Sequence, residues 1–277
     1  MCGEFNDTDY NTCIHKATLE VMIVESVLSI SNLSVQIKNQ NILQDISFEI
    51  GEGEVVLLSG ENGVGKSTIL KSILRLENEG KIISGEIRVR GYGNILTLGT
   101  TDLQRYRSRI AYVQQRDDYA EMGNIQVKDI ISESGQPNSG KAFSTTEVND
   151  LIDQWIPRKH GNKRIFNAKS KPAKFSGGEQ RLLSVLSVVA TRPKAELLII
   201  DEPLNNLDFI NARNISNLIN KVIRDNPKMA VLMISHCRIF PFITREIILT
   251  SEGIQEARNP YICHSCFGEP NGEGFYR

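Results

Sequence analysis

The stretch GENGVGKS, Gly60 to Ser67, decides the fold of this chain of 277 residues. It matches the pattern G-x-x-x-x-G-K-[ST] and stands between the apolar run VVLLS and a segment that predicts a helix starting near Lys66. Glycines at these positions let backbone N–H groups curl around phosphate oxygens, and the positive end of the helix points at them. A chance glycine-rich turn would not need a strand before it and a helix after it. The pattern therefore predicts a phosphate-binding loop, with Lys66 reaching the β- and γ-phosphates and Ser67 offering its hydroxyl to Mg²⁺.

The segments around this loop predict a sheet covered by helices. Two alternating runs at 27–37 and 42–50, joined by KNQN, predict a hairpin, and ISGEIRVRG and IAYVQQ predict further strands on either side of a short polar helix, TDLQRYRSR. From about Asp118 to Arg192 the polar, helix-compatible sequence predicts a helical insertion. The apolar runs 195–201 and 229–235 enclose a helical pattern, which indicates a parallel sheet with both faces covered. EIILTSEGIQE predicts a last strand and a turn.

Composition argues against some functions and leaves others open. Lys and Arg number 32 and Asp and Glu 33, so the net charge of -1 gives no electrostatic case for nucleic acid or an anionic membrane. No apolar run approaches the roughly 20 residues that cross a bilayer. The first residues carry acidic side chains where a signal peptide needs basic ones, so we expect a cytoplasmic protein in which 1–25 is an N-terminal extension.

The five cysteines are most simply free thiols in a chain of this kind. The exception to weigh is CHSC, Cys263 to Cys266, in a polar tail that spans 258–277. One C-x-x-C supplies two zinc ligands, so a complete site would need His264 or the distant Cys2, Cys13 and His15. The simpler interpretation is a cysteine-containing tail.

A second motif, AELLIIDE, is an apolar strand that ends in Asp201 and Glu202. Alone it is typical of a buried strand followed by surface charge. Together with a phosphate loop it predicts a functional site, because sites in parallel sheets lie at the carboxyl ends of the strands. Asp201 is then predicted to hold Mg²⁺, directly or through water, and Glu202 to act as the general base on the attacking water.

With these motifs and FSGGEQR in place, the chain resembles the nucleotide-binding subunit of the ATP-binding cassette (ABC) family. The motifs GENGVGKST, the glutamine of IAYVQQ, FSGGEQR, LLIIDEP, NNLD and a histidine after MAVLMIS occur in that family's order, over about residues 27–256. The resemblance implies an α/β fold with a P-loop NTPase core, in which a mixed sheet combines an antiparallel β subdomain with a parallel RecA-like sheet. It also implies one ATPase domain over 26–257, with a helical subdomain inserted at about 118–192.

The resemblance also implies ATP and Mg²⁺ as cofactors and assigns roles to residues. Gln115, rather than Gln114, is expected to contact Mg²⁺ and the attacking water and to sense a transmembrane partner. His236 is expected to reach the γ-phosphate and relay to Glu202, and Asp208 to lie in the loop that bridges two subunits. Without the resemblance, Gln115 would be interpreted as a polar residue at a strand end and His236 as a structural histidine. Asp208 would be interpreted as a helix N-cap. The nucleotide-binding residues implied are Gly60, Glu61, Asn62, Gly63, Val64, Gly65, Lys66, Ser67 and Thr68, with Mg²⁺ held by Ser67, Gln115 and Asp201.

The glycine pair of FSGGEQR opens an apolar helix, and exposed backbone N–H groups there, with the hydroxyl of Ser176, can bind an anion. In the family this signature, here Ser176, Gly177, Gly178 and Glu179, serves the ATP bound by the other subunit. Some positions depart from the family's usual residues: Leu204 and Asn205 replace small hydroxyl residues, Ile37 stands near the usual adenine-stacking aromatic, and Leu182 and Ser187 replace arginines.

The resemblance implies an ATP-hydrolysing subunit that closes as a homodimer or heterodimer on two ATP molecules and drives separate permease subunits from the inner face of the membrane. The alternative is a soluble cassette ATPase that assembles or remodels a cytoplasmic complex, as iron-sulfur assembly ATPases do. A DNA-maintenance or translation-factor cassette is disfavoured, because the chain has no long coiled-coil insertion, no second cassette and no basic surplus. No nucleic acid partner is expected.

Overall fold

The computed structural model describes residues 26–76, 80–115, 119–139, 142–158, 162–205, 207–236 and 240–258. All five cysteines, the 1–25 extension and the CHSC tail lie outside these ranges. The described strands are β1 (Ser26–Ile37), β2 (Gln40–Gly51), β3 (Val55–Gly60), β4 (Gly80–Val89), β5 (Gly93–Asn94), β6 (Ala111–Val113), β7 (Leu197–Asp201), β8 (Ala230–Ile234), β9 (Arg245–Thr250) and β10 (Gly253–Arg258). The described helices are α1 (Lys66–Leu74), α2 (Thr100–Arg109), α3 (Val127–Ser139), α4 (Thr145–Trp155), α5 (Gly177–Val189) and α6 (Phe209–Asp225).

The smaller sheet is antiparallel and runs in the order β2-β1-β4-β5. Its first hairpin turns at Lys38 and Asn39, whose φ angles of 48° and 66° are both left-handed. Two left-handed central residues match the right-handed twist of the strands they join. The hairpin predicted at KNQN is therefore confirmed.

The larger sheet runs in the order β10-β9-β3-β8-β7-β6, and its neighbouring strands from β9 to β6 are parallel. Strands β3, β7 and β8 are buried on both faces, as the apolar runs predicted. In β7, Leu198 and Ile200 pack in one core with α3, α4, α5 and α6, whereas Leu197 and Ile199 pack in a second core with α1 and the smaller sheet. Side chains alternate along a strand, so β7 needs an apolar residue at each of its first four positions.

The end of the larger sheet holds a strand that the sequence analysis did not predict. β9 pairs in parallel with β3, but the chain turns at Ser251 and Glu252 and returns as β10, antiparallel to β9. Gly253, with a φ of 130°, makes this sharp return possible. The predicted last strand and turn are therefore a hairpin that closes one edge of the sheet.

Backbone donors and side-chain donors together cap the carboxyl end of α1. Arg75 adopts a left-handed φ of 50°, and backbone N–H groups of Arg75 and Leu76 donate to the carbonyls of Ser72 and Lys71. The hydroxyl of Tyr106 on α2 donates to the Ile73 carbonyl at 2.7 Å, and Arg107 Nε donates to the Leu74 carbonyl at 3.0 Å. Each of the last four carbonyls of α1 therefore has a donor, which the helix itself cannot supply.

We expect Tyr106→Phe to lower the free energy of unfolding by about 1–3 kcal/mol, because it leaves the buried Ile73 carbonyl without its donor. Urea denaturation followed by circular dichroism measures the change. Tyr92→Phe is the matched control, since its hydroxyl makes an exposed hydrogen bond of 3.3 Å to Arg105, and we expect it to change stability by less than about 0.5 kcal/mol. Equal stabilities for the two variants would contradict this account.

Candidate functional site

The candidate site lies at the carboxyl ends of the parallel strands β3, β7 and β8 in the larger sheet. β3 leads into the loop 60–65 and the first turn of α1, β7 ends at Asp201, and Ser235 and His236 follow β8. Because the carboxyl ends of parallel strands meet at one edge, residues more than a hundred positions apart come together. Lys66, Asp201, Glu202 and His236 meet here, as the sequence analysis predicted.

The loop between β3 and α1 depends on glycines for its path. Gly60, Gly63 and Gly65 have φ angles of 141°, 82° and 115°. A Cβ on Gly60 would lie 2.3 Å from the Leu249 carbonyl oxygen, and one on Gly65 would lie 2.7 Å from the Leu43 side chain. These two positions therefore need glycine both for backbone conformation and for space.

Lys66, the first residue of α1, is buried and lies across this loop. Its Nζ donates to the carbonyl oxygens of Gly60 at 2.8 Å and Glu61 at 2.9 Å. Burial lowers the pKa of Lys66, and the nearby carboxylates of Glu202 and Asp201 partly oppose this effect. The ammonium group is therefore positioned between the loop and the two acids, where phosphate oxygens can replace the two carbonyls as its acceptors.

Asp201 and Glu202 are both buried at the end of β7. Burial raises the pKa of each carboxyl, while Arg181 and Lys66 lower that of Asp201 and His236 lowers that of Glu202. Desolvation penalises the charged form of an acid, so both carboxylates are less stable as anions here than in water. A carboxylate of this kind accepts a proton more readily than an exposed one, as a general base must.

Glu202 and His236 form a pair across the ends of β7 and β8. His236 Nε2 lies 3.2 Å from Glu202 Oε1, and the His236 backbone N–H donates to Oε2 at 3.4 Å. Glu202 has a left-handed φ of 45°, and its N–H donates to the Ile234 carbonyl at 2.8 Å. This conformation costs about 1–3 kcal/mol in a residue other than glycine. The pairing with β8 holds Glu202 in it and aims the carboxylate at the histidine.

The signature segment forms the amino end of α5. The Ser176 hydroxyl accepts from the Glu179 N–H at 3.3 Å, and the Glu179 carboxylate accepts from the Ser176 N–H at 3.1 Å. Two of the backbone N–H groups at this helix end, those of Ser176 and Glu179, are thus engaged within the helix end itself. A Cβ on Gly178 would lie 2.1 Å from the Asn211 side chain, so this glycine allows α5 and α6 to approach closely.

The other predicted residues lie in accessible positions. Gln115 follows β6 and is exposed, and Ser67 is exposed on the first turn of α1. Asp208 caps α6, where its side chain accepts from the Asn211 N–H at 2.9 Å. None of the described hydrogen bonds or ion pairs joins Ser176 to the phosphate loop of its own chain. Ser176 and Gly177, at the start of the signature, are exposed.

Arg181 is a site residue that sequence reasoning did not single out. Its buried guanidinium donates to the Asp201 carbonyl at 2.7 Å, to the Pro203 carbonyl at 3.2 Å and to the Gln114 carbonyl. These carbonyls flank Glu202 and precede Gln115, so one side chain of α5 holds the ends of both β6 and β7. The signal was weak in the sequence, because an arginine in the first turns of a helix is usually exposed.

We expect Arg181→Lys to reduce kcat for ATP hydrolysis by about tenfold or more while changing the KM for ATP little, since the guanidinium reaches the three carbonyls from three separate nitrogens and lysine has only one. Steady-state kinetics measures both constants. Arg213→Lys, at an exposed position of α6, is the matched control. A fall in stability without a selective loss of kcat would assign Arg181 a purely structural role and contradict the expectation.

The oxygen ligands at the site fit a hard divalent cation. Asp201 contributes a buried carboxylate and Ser67 an exposed hydroxyl, and Mg²⁺ in such sites takes one or two protein oxygens and completes its shell with phosphates and water. Among the described residues, no group of three or more His, Cys, Asp and Glu side chains is arranged to hold a metal ion by itself. No helix in the described ranges is long and apolar enough to cross a membrane.

Comparison with known proteins gives consistent results. Residues 43–205 match the family described as ABC transporter. The chain is 30% identical over 213 residues to a Brucella suis biovar 1 protein named as an ABC transporter ATP-binding protein, covering 77% of this chain and 80% of that one. It is also 30% identical over 223 residues to the energy-coupling factor transporter ATP-binding protein EcfA1 of Ligilactobacillus salivarius, covering 76% and 70%.

The fold is similar to that of a solved ATP-binding cassette, described as a dimer in a post-hydrolysis state bound to ADP and phosphate. The TM-score is 0.63 at 21% identity, and the match covers 85% of this chain and all of that one. At this identity the likeness establishes the fold, an α/β cassette with mixed sheets.

Proposed function

Because the chain belongs to the ABC transporter family, we propose that it is the ATP-hydrolysing subunit of a two-component transporter. In this proposal two cassettes close on two ATP molecules and pass the movement to separate permease subunits. Membership of this family implies ATP hydrolysis and a general link to transport.

One observation carries the catalytic part of the proposal, namely the buried Glu202 paired with His236 beside Lys66. Lys66 binds the β- and γ-phosphates in exchange for the carbonyls of Gly60 and Glu61. Glu202 takes a proton from the attacking water, and His236 donates a hydrogen bond toward the γ-phosphate while it keeps Glu202 oriented. Gln115 orients the same water from the end of β6.

Mg²⁺ would be held by Ser67, Asp201 and Gln115 together with the phosphates. When bound, it neutralises charge that develops on the phosphate oxygens. The raised pKa of Asp201 supports this role, because a carboxylate that burial destabilises gains more from a cation than an exposed one does. Arg181 keeps the main chain of Asp201 in place through the hydrogen bond to its carbonyl.

The dimer completes the site in this proposal. Ser176, Gly177, Gly178 and Glu179 present the amino end of α5 to the ATP bound by the second cassette, and Asp208 lies in the loop between the two subunits. The exposure of Ser176 and Gly177 supports this arrangement. A second copy of this chain or a related cassette can fill the partner position.

We propose that the cassette lies on the inner face of the membrane, bound to permease subunits near Gln115 and the helices of 118–192. The experiment that tests this is affinity capture of the full chain from detergent-solubilised membranes, followed by mass spectrometry of what co-purifies. We expect a multi-span membrane protein in a fixed ratio to the chain. Recovery in a soluble assembly alone would favour the cassette ATPase that remodels a cytoplasmic complex.

A further inference from the structure

A cavity of about 540 Å³ lies at the opposite end of β7 from the candidate ATPase site. It is bounded by the end of β4, the end of α2 with Ile110 after it, and the segment 191–197 that leads into β7. β7 spans five residues, so at about 3.3 Å per residue its two ends lie more than about 10 Å apart. The cavity is therefore separate from the cleft that holds Lys66 and Glu202, and its volume suits a small organic molecule.

The charge lining this cavity is strongly positive. Four cationic side chains, those of Arg90, Arg109, Arg192 and Lys194, line it together with a single carboxylate, Glu196. Arg90 is already compensated, because it pairs with Glu196 at 2.9 Å and with Glu52 at 2.7 Å. The remaining three cations make no ion pair with any described carboxylate. The cavity thus holds a surplus of about three positive charges in a chain whose net charge is -1.

Arg192 is the residue that points most directly to a ligand. Its side chain is half-buried, and its Nε is inaccessible to water and has no hydrogen-bond partner among the described residues. Its Nη1 donates to the Thr191 hydroxyl at 3.3 Å. Burial lowers the pKa of Arg192, with no opposing carboxylate. With Nε covered, the guanidinium can meet an anion in the cavity only through its Nη groups, and such an anion would supply the opposite charge that the described residues around Arg192 lack.

Other parts of the lining are apolar. Val27, Val89, Ile110 and Leu197 line the cavity, and Tyr92 stands beside them with its ring 5.2 Å from that of Tyr106. An inorganic ion would fill only a small part of this space. A ligand with an anionic group and an apolar body matches both parts of the lining.

We propose that this cavity is a second ligand site that binds a phosphate monoester with an apolar or aromatic body. Arg192 and Arg109 hold the phosphate, because guanidinium groups bind phosphate oxygens in paired hydrogen bonds. Lys194 adds a third charge at the entrance, and Val27, Val89 and Tyr92 contact the body of the ligand. The segment 191–197 connects this site directly to β7 and so to Asp201 and Glu202.

The test uses the full chain carrying Lys66→Ala, so that the phosphate loop does not take up the probe. Phenyl phosphate, inorganic phosphate and phenol are titrated by isothermal calorimetry. We expect saturable binding of phenyl phosphate that is about tenfold tighter than that of inorganic phosphate, and weaker by at least about tenfold in Arg192→Gln or Arg109→Gln. Arg105→Gln, on the same helix as Arg109 but paired with Asp102 at the surface, should change the Kd less than about twofold.

Absence of saturable phenyl phosphate binding, or equal binding by Arg192→Gln, would overturn the proposal. Should Arg192→Gln fail to fold, arginine modification by phenylglyoxal decides the matter without that substitution. Phenyl phosphate should slow the modification of Arg192 and Arg109 at least about threefold and leave that of Arg105 unchanged, as measured by peptide mass spectrometry. Uniform rates at all three arginines would equally refute the site.

Discussion

Lys66→Ala is expected to abolish ATP hydrolysis and to weaken ATP binding by at least about a hundredfold. Lys66 is buried between the phosphate loop and two acids, and its removal takes away the one ammonium group that the loop positions on the phosphates. The carbonyls of Gly60 and Glu61 lose their donor, and Asp201 and Glu202 lose a neighbouring cation that partly offsets their burial. Both effects weaken the binding of the ATP triphosphate at the carboxyl ends of these strands.

Equilibrium binding of a fluorescent ATP analogue and phosphate release measure the two effects of Lys66→Ala. Lys71→Ala is the matched control, because Lys71 lies on the same helix, one turn further on, and is exposed. We expect that control to retain turnover within about twofold. Wild-type turnover in Lys66→Ala would contradict the assignment of the phosphate loop.

Glu202→Gln is the second large effect, with kcat expected to fall by about a hundredfold to ten-thousandfold while ATP binding persists. Glutamine keeps the shape of the side chain and can still contact His236, but it cannot accept a proton from water. Under the proposed function the variant should accumulate as an ATP-bound dimer, visible as earlier elution in size-exclusion chromatography with ATP. Glu133→Gln, at an exposed position of α3, is the control.

The stability of Glu202→Gln separates loss of chemistry from loss of fold. Burial raises the pKa of Glu202 above its value in the unfolded chain, so the folded state binds this proton more tightly. Stability from this group is therefore fully present below its unfolded pKa and is lost as the pH rises through its folded pKa. At neutral pH the variant should be at least as stable as the wild type, and the difference should shrink in acid. A melting temperature below that of the wild type at pH 7 would be inconsistent with this account.

The sequence was sufficient for features that depend on local pattern. The glycines of the phosphate loop, the apolar strand before Asp201 and the KNQN hairpin each carry their signal within about ten residues, and the structure places them as expected. The meeting of Lys66, Glu202 and His236 could also be predicted, because parallel strands bring their carboxyl ends to one edge. The functional roles of these residues remain predictions that the variants above test.

Features that depend on tertiary contact could not be predicted from the sequence. Arg181 reaches three carbonyls that are distant in the chain, and Tyr106 caps a helix 33 positions earlier. Glu202 adopts a left-handed backbone that its residue type disfavours, because pairing with Ile234 outweighs local preference. Each of these depends on the partner that packing supplies, and a pattern along the chain does not contain that information.

The strand order has a consequence for synthesis of the chain on the ribosome. β3 leads into the phosphate loop, yet it pairs with β8 and β9. The residues of β8 and β9 that pair with β3 lie about 175 to 190 positions later in the chain. At about 5–20 residues per second, β3 waits roughly 9 to 40 seconds before either neighbour exists. During that interval the run VVLLS has no sheet to join, so the nascent chain needs protection from association until residues 230–250 emerge.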